Sequence, residues 1–277
     1  MDFSLVDVFG VADFGGNPVA VIHDATSLDT EAMQRITRWL NLSESTFLLP
    51  PTDAQADYRV RIFTLERELP FAGHPTLGTC HAWLRAGGTP HDPGRIVQQC
   101  EAGLVPVRND SGGLAFAAPP LIRSGSVDDA TLDEIAGILG IGRDRIVDAA
   151  WTDNGPGWVT VLLGSAKEVL ALEPARSHPG RIDIGVVGLY PPGSEAAYEV
   201  RAIFTAGFGS LVEDPVTGSL NASVAQWLLE SGRVTAPYTA AQGTRLDRTG
   251  RVSVSQADGQ LWIGGNTRTL FRGEAAF

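Results

Sequence analysis

The chain repeats itself at about half its length. The segment Tyr58-Arg59-Val60-Arg61 returns as Tyr198-Glu199-Val200-Arg201, an offset of 140 residues. The same offset relates three further pairs of segments: His74-Pro75 and Asp214-Pro215, Gly78-Thr79 and Gly218-Ser219, and 19–22 and 159–162. Such a period is too long for a solenoid. Unless common strand patterns coincide by chance, the repeat predicts two similar domains related by a pseudo-twofold axis, with a cleft between them.

Hydrophobic periodicity predicts an α+β fold in both halves. Alternating apolar residues predict strands at 58–63, 97–100, 198–204, 251–255 and 260–263. Apolar residues at helical spacing predict helices at 28–40, 75–84, 128–139 and 215–230. Prolines at 119 and 120 mark a boundary, so we expect domains at 1–118 and 119–277, with a last strand that can pack on the first domain. Each domain should wrap its sheet around one buried helix.

Composition argues against several classes of function. With 32 acidic and 21 basic residues, the net charge of −11 disfavours nucleic acid and anionic membranes as partners. The single lysine, Lys167, lies in a predicted surface segment, which disfavours a pyridoxal Schiff base. Cys80 and Cys100 form no CxxC pair, and four zinc ligands at metal spacing are absent from the sequence. We therefore expect no cofactor and no metal, and the N-terminus lacks the basic region of a secretory signal, which indicates a cytoplasmic protein.

Two segments have the pattern of helix starts that bind anions. Pro75 and Pro215 suit the first helical position, and Asp214 suits the N-cap. Free amides at such ends attract carboxylates, so two ends related by symmetry could converge on one small anionic ligand. Gly78 and Gly218 would then stand in first turns, where close approach of a ligand or of facing backbone explains glycine. The alternative is two ordinary capped helices.

Glu44 is the candidate for proton transfer. It lies between a predicted helix end and an apolar strand, flanked by Ser43 and Ser45. A carboxylate held near apolar residues can act as a general base and then as a general acid. The alternative for Glu44 is a solvent-facing loop residue, and the alternative for His74 is a capping or hydrogen-bonded histidine.

The sequence resembles a known family at these residues. Signature-like segments lie at 14–21, 43–47, 70–79 and 213–219, and they resemble those of the PhzF-like phenazine biosynthesis proteins. Gln242-Gly243, Arg251 and Gly264-Gly265 also fit the pattern. The resemblance runs from Phe9 to about Gly273, which is essentially the whole chain.

The resemblance implies a diaminopimelate-epimerase-like fold, cofactor-independent isomerase chemistry on a small carboxylate, and a homodimer. In the family's best-known reaction, trans-2,3-dihydro-3-hydroxyanthranilate is isomerised. There the residue matching Glu44 moves a proton from C3 to C1 of the ring, and the product tautomerises to a ketone. The residues matching His74 and Asp214 contact the ring substituents. Amides at positions matching Gly73, Gly218 and Ser219 hold the carboxylate.

The sequence departs from the wider epimerase superfamily, which uses a pair of thiols. Neither Cys80 nor Cys100 lies at a repeated helix start, so two-base racemisation by thiols is disfavoured. Three functions remain open from the sequence. The first is a cofactor-independent isomerase, the second is a racemase or epimerase that uses carboxylates, and the third is a non-catalytic protein that binds a small carboxylate.

Overall fold

The chain folds into two compact units, each with its own sheet and buried helix. The structure, a computed structural model, describes residues 1–276. The first unit consists of Met1–Ala117 and the segment from Gly264 onward, and the second unit is Ala118–Ile263. The predicted second domain extends to the end of the chain, whereas in the structure the last segment belongs to the first unit. It does so because its strand pairs along the whole first strand of the chain, from Asp2 to Val8.

The elements before the boundary are eight strands and two helices: β1 (Asp2–Val8), β2 (Asn17–Ile22), α1 (Thr30–Leu40), β3 (Glu44–Leu49), β4 (Tyr58–Thr64), β5 (Glu68–Leu69), α2 (Gly73–Arg85), β6 (Arg95–Cys100), β7 (Gly103–Asp110) and β8 (Gly113–Ala117). The later elements are β9 (Arg123–Gly125), α3 (Asp129–Leu139), β10 (Ile146–Asp153), β11 (Trp158–Leu163), α4 (Ala166–Leu170), β12 (Asp183–Leu189), β13 (Tyr198–Thr205), β14 (Leu211–Asp214), α5 (Gly218–Glu230), β15 (Tyr238–Gln242), β16 (Gly250–Ala257), β17 (Gln260–Gly265) and β18 (Thr267–Glu274). Among residues 1–276, no helix is long and apolar enough to cross a membrane.

The two units share one strand topology. In the first, β1–β2 is antiparallel, β2–β3 parallel, β3–β4 and β4–β5 antiparallel, β4–β6 parallel and β6–β7 antiparallel. In the second, the pairs from β10–β11 to β15–β16 follow the same order of directions. The register agrees as well, since Val19 pairs with Glu44 and Val159 pairs with Ile184. The predicted repeat at 140 residues therefore holds for these strands.

The offset between the units increases to 145 residues at the buried helices. Opposite strand positions are Phe63 and Glu68 in the first unit, and Ile203 and Glu213 in the second, so the second hairpin is five residues longer. Both hairpins then continue as Glu-x-Pro-x-x-Gly, which ends at the first residue of α2, Gly73, or of α5, Gly218.

This longer hairpin changes which residues are equivalent. The sequence analysis pairs His74 with Asp214. In the structure the counterpart of His74 is Ser219, the second residue of α5, and the counterpart of Asp214 is Leu69. The predicted pairing is wrong because an insertion in an exposed hairpin shifts everything that follows it, and the two His-Pro and Asp-Pro dipeptides coincide at the older offset.

Helix ends follow local capping chemistry where the side chains allow it. The carboxylate of Asp29 accepts from the N–H of Ala32 at the start of α1, and Asn41 ends it in the left-handed region. Asp128 and Gly140 do the same for α3. These two helices agree with the predicted segments to within two residues at either end.

The two buried helices begin elsewhere than predicted. Helix α2 begins at Gly73, two residues before Pro75, and α5 begins at Gly218, three residues after Pro215. Asp214 is not the N-cap of α5, because its backbone is the last position of β14 and pairs with Ala202. The N-cap is Thr217. Consequently Gly78 lies in the second turn of its helix and Gly218 is the first residue of its own.

Gly78 lets α2 lie directly against the sheet. A Cβ at this position would come within 2.3 Å of Val19 Cγ1 and 3.1 Å of Val8 Cγ2. Close approach to facing side chains of β1 and β2, rather than to a ligand or to backbone, therefore explains the glycine. The contact keeps the start of α2 beside β2, which matters for the site.

Candidate active site

Glu44 is the first residue of β3 and lies beside β2 in the first unit. Its side chain is 18% exposed, so it is neither a loop residue nor a solvent-facing one. The strand places Ser45 and Thr46 next to it, and both are completely buried. The carboxylate thus sits at the rim of an apolar sheet.

His74 lies against Glu44. It is the second residue of α2 and is 3% exposed. Its Nδ1 is 3.1 Å from Glu44 Oε2, and its Nε2 is 3.4 Å from the carbonyl oxygen of Pro18. Sequence analysis names both side chains as candidates, and the structure brings them together.

The hydrogen-bond partners constrain where the protons are. A carbonyl oxygen can only accept, so the contact with Pro18 requires hydrogen on Nε2 of His74. In a neutral ring Nδ1 would then carry a lone pair towards Glu44 Oε2, which is repulsive when Glu44 is ionised. The short contact is favourable only when one proton lies between the two atoms. Glu44 and His74 therefore form a pair that stores a proton.

A buried turn supports the carbonyl that holds His74, and sequence analysis did not single it out. Asp7, 5% exposed at the end of β1, accepts a 2.9 Å hydrogen bond from the N–H of Gly16. A Cβ on Gly10 or on Gly16 would come within 2.5 or 2.7 Å of an Asp7 carboxylate oxygen. The turn then leads through Asn17 to Pro18. The only signal in the sequence was the Gly15-Gly16 pair before Asn17-Pro18.

Asp214 belongs to the second unit, at the end of β14. Its Oδ2 accepts a 2.6 Å hydrogen bond from the hydroxyl of Thr217. On the neighbouring position Glu213 makes a bidentate pair with Arg201, at 3.0 and 2.7 Å. Arg201 also donates to the carbonyl oxygens of Val169 and Leu172. These bonds fix β14 and, with it, the backbone of Asp214.

The start of α5 presents backbone amides. The first intrahelical bond runs from the N–H of Asn221 to the carbonyl of Thr217, so the amides of Gly218 and Ser219 precede it. The hydroxyl of Ser219 accepts a 3.1 Å hydrogen bond from Trp158 Nε1, which leaves its own proton for a ligand. This is the end at which the helix dipole favours an anion.

The start of α2 has the same character with fewer donors. Its first intrahelical bond runs from the N–H of Thr76 to the carbonyl of Ala72, and Pro75 has no N–H. The amides of Gly73 and His74 therefore precede that bond. Both helix starts thus have amides suited to a carboxylate, as predicted, but they differ in the side chain at the second position.

The thiols are distant from both helix starts in sequence. Cys80 lies inside α2, where burial raises its pKa to about 12. Burial also raises the pKa of Cys100, at the end of β6. A thiol held in this way is a weak nucleophile and a weak base. Within residues 1–276, no group of three or more histidine, cysteine or acidic side chains is arranged to hold a metal ion.

The predicted site residues fall into two groups. Glu44, His74 and Gly73 lie together in the first unit, and Asp214, Gly218 and Ser219 lie together in the second. That the two groups act on one ligand stays a prediction.

Comparisons with known proteins identify the family. The model of a family described as phenazine biosynthesis-like protein matches residues 6–277. The chain belongs to this family. It is 33% identical to "Antisense-enhancing sequence 1" of Schizosaccharomyces pombe, over 99% of this chain and 98% of the relative. It is 32% identical to a trans-2,3-dihydro-3-hydroxyanthranilate isomerase of Pseudomonas fluorescens, over 98% of both chains.

Solved structures agree with the family assignment. A predicted epimerase from Pseudomonas aeruginosa superposes with a TM-score of 0.80 at 28% identity, over 100% of this chain and 99% of that one. A PhzF family protein from Bacillus anthracis gives 0.82 at 20% identity, over the same shares, and shows the fold. The expected two-domain, epimerase-like fold is confirmed. Membership in the phenazine biosynthesis-like family, together with the isomerase names of its relatives, supports an isomerase.

Proposed function

We propose that this protein is a cofactor-independent isomerase of a small cyclic or unsaturated carboxylate, in which Glu44 moves a proton between two carbon atoms of the substrate. The observation that carries the proposal is the 3.1 Å contact between Glu44 Oε2 and Nδ1 of a buried His74, whose other nitrogen is held on the carbonyl of Pro18. A paired, partly buried carboxylate is what general acid–base chemistry requires.

The proposed step conserves atoms and electrons. Glu44 Oε1, the oxygen away from His74, takes a proton from an acidic carbon of the substrate. The electron pair of that C–H bond shifts through the adjacent double bond, and the far carbon takes the proton back from Glu44. The proton between Glu44 and His74 favours the ionised carboxylate before the transfer. No redox partner is needed, because substrate and product are isomers.

The amides of the helix starts support a carboxylate as the anchoring group of the substrate. The first substrate to test is trans-2,3-dihydro-3-hydroxyanthranilate, because relatives 32% identical to this chain carry the name of its isomerase. In that reaction the proton would move from C3 to C1 of the ring, and the product would tautomerise to a ketone. The proposal includes contacts of His74 and Asp214 with the ring substituents, and of the amides of Gly73, Gly218 and Ser219 with the carboxylate.

A carboxylate-based epimerase or racemase remains the alternative that sequence analysis left open. It needs a second base opposite the first. In the second unit, the positions that correspond to Glu44 and His74 hold Ile184 and Ser219, and neither can take a proton from carbon. Asp214 would have to serve, and its Oδ2 already accepts from Thr217. A single-base isomerisation is therefore the better supported function.

The test is proton NMR of trans-2,3-dihydro-3-hydroxyanthranilate in heavy water with wild-type protein and Glu44→Gln. We expect loss of the C3 proton signal and formation of the isomer with the wild type. The variant should be slower by about 10² to 10⁴-fold, because it lacks the group that transfers the proton. Ligand-dependent thermal stabilisation without proton exchange would instead indicate a non-catalytic carboxylate-binding protein.

Glu68→Gln is the matched control. Glu68 is a partly buried glutamate of the same unit, 26% exposed, and it pairs with Arg61 rather than with a site residue. Its substitution should lower the melting temperature but leave turnover near that of the wild type. Wild-type turnover by a folded Glu44→Gln protein would refute the proposed role of Glu44.

A further inference from the structure

Gln242 is the centre of a hydrogen-bond network at the start of α5. It is the last residue of β15 and is completely buried. Its Oε1 accepts from the N–H of Thr217 at 3.0 Å and from Asn221 Nδ2 at 2.7 Å. Its Nε2 donates to the carbonyl of Asp214 at 3.2 Å and to Thr217 Oγ1 at 2.9 Å. All four hydrogen bonds of the amide are made within the second unit.

The partners fix the orientation of the amide. A backbone N–H can only donate and a carbonyl can only accept, so the two ends of the Gln242 amide cannot be exchanged. The Nε2 group must therefore donate to Thr217 Oγ1. This in turn determines what the threonine hydroxyl does with its own hydrogen.

The hydroxyl of Thr217 has one proton to donate. Because it accepts from Gln242, that proton points to Asp214 Oδ2, 2.6 Å away. A donor aimed at a carboxylate oxygen favours the ionised form of the acid. The N–H of Thr217 is also committed, to Gln242, so a ligand at this end meets the amides of Gly218 and Ser219 instead.

We propose that Gln242 and Thr217 are positioning residues that hold the Asp214 carboxylate ionised and in one orientation. Gln242 acts through Thr217, and Thr217 acts through its hydroxyl. The inference rests on the proposed function only for the statement that Asp214 contacts the substrate. The protonation of Asp214 can be tested without any turnover.

The first unit contains the same device without an acid. Gln98, on the strand that follows α2, is also completely buried. It accepts from the hydroxyl of Tyr58 at 3.1 Å and donates to Thr76 Oγ1 at 3.0 Å. The hydroxyl of Thr76 then donates to the carbonyl of Ala72. A buried glutamine at this place thus supports the helix in both units, and only in the second does its partner reach a carboxylate.

Other charges near Asp214 in the second unit are accounted for by their own partners. Glu213, on the same strand, pairs with Arg201 of β13. Arg248 follows β15, and its Cβ would lie 2.8 Å from a Cβ on Gly243, which would itself lie 2.6 Å from the carbonyl of Pro215. Arg251, on β16, is 3.8 Å from Glu195. None of these groups is altered by the substitutions proposed below.

The experiment follows the Asp214 carboxyl by ¹³C NMR in protein labelled at aspartate, with the signal assigned from Asp214→Asn. In Thr217→Val we expect the midpoint of its titration to move up by about one pH unit, equivalent to about 1.4 kcal/mol, because the hydroxyl donor is lost. Thr217→Ser keeps a hydroxyl and should restore the wild-type midpoint. Thr217 makes no side-chain cap bond, so loss of a helix cap does not confuse the result.

Gln242→Leu should move the midpoint in the same direction by a smaller amount, because the hydroxyl of Thr217 stays but is no longer oriented. Gln98→Leu is the control for burial, and it should destabilise the fold without moving the Asp214 midpoint. An unchanged midpoint in folded Thr217→Val would overturn the inference, whatever the activity. A shifted midpoint together with full turnover by Glu44→Gln would support the inference and reject the proposed function.

Discussion

The two units use one scaffold for different chemistry. Both have the same strand directions, and each reaches its buried helix through a Glu-x-Pro-x-x-Gly segment. Each also places an arginine opposite the glutamate of that segment, Arg61 with Glu68 and Arg201 with Glu213. The differences are confined to a few positions.

The first unit has Glu44 at the start of its third strand, and the second has the fully buried Ile184 at the corresponding place. At the second position of the buried helix, the first unit has His74 and the second has Ser219. The proton-storing pair is thus made in one unit only, while both units supply helix-start amides. The comparison shows that the shared topology provides anion-binding amides twice, and that side chains at two positions decide which unit can transfer a proton.

The largest effect is expected from making the second unit resemble the first. Ile184→Glu places a carboxylate, without a partner, among strands of the second core. Such a buried charge should cost about 4 kcal/mol or more and leave little folded protein. Circular dichroism and the melting temperature measure this. Ile184→Val, at about 1 kcal/mol, is the control, and a stable Ile184→Glu protein would mean that the position is less enclosed than its counterpart comparison implies.

A smaller effect is expected from the two ion pairs. Glu213 and Arg201 are 12% and 5% exposed, whereas Glu68 and Arg61 are 26% and 19% exposed. Glu213→Gln should therefore cost about 3 kcal/mol and Glu68→Gln about 1 kcal/mol, since breaking a buried pair strands the partner charge. Thermal unfolding compares the two variants. Glu31→Gln, at a helix position that is 84% exposed, should change nothing, and equal losses at 68 and 213 would show that the units bury their pairs equally.

The smallest effect is a difference in pH dependence. His81 in α2 contacts the hydroxyls of Thr267 and Thr269, and its counterpart in α5 is Gln226, which cannot titrate. Burial, with help from the cations of Arg85 and Arg272, lowers the pKa of His81 to about 4. The unfolded chain therefore binds a proton before the folded protein does, and stability is lost as the pH falls from about 6.5 to about 4.

The loss from this histidine should be about 2 kcal/mol after allowance for its partial exposure. His81→Gln converts the position to its counterpart and should flatten the fall of the melting temperature between pH 6.5 and 4. A parallel fall in wild type and variant would assign the acid sensitivity to other groups.

Much of this comparison could be predicted from the sequence. Strand alternation and the 140-residue repeat predict paired α+β units, and capping residues such as Asp29, Asn41, Asp128 and Gly140 locate two helices. The start of α5 could not be predicted from Asp214-Pro215, because the N-cap preference of aspartate competes there with a strand ladder that only pairing with Ala202 reveals. Residue identity names Glu44 and His74 as candidates, but their 3.1 Å contact depends on where α2 packs.

The sequence by itself determined the class of fold, the absence of thiols at the helix starts and the residues available for proton transfer, since these follow from periodicity and composition. Tertiary structure alone decided three other features: the equivalence of His74 with Ser219, the proton between Glu44 and His74, and the role of Gln242 beside Asp214. Each of these depends on residues that are 14 to 56 positions apart in pairs such as Pro18 with His74 or Asp214 with Gln242. Local preferences do not act over such separations, and only packing of the helices against their sheets brings these atoms within hydrogen-bond distance.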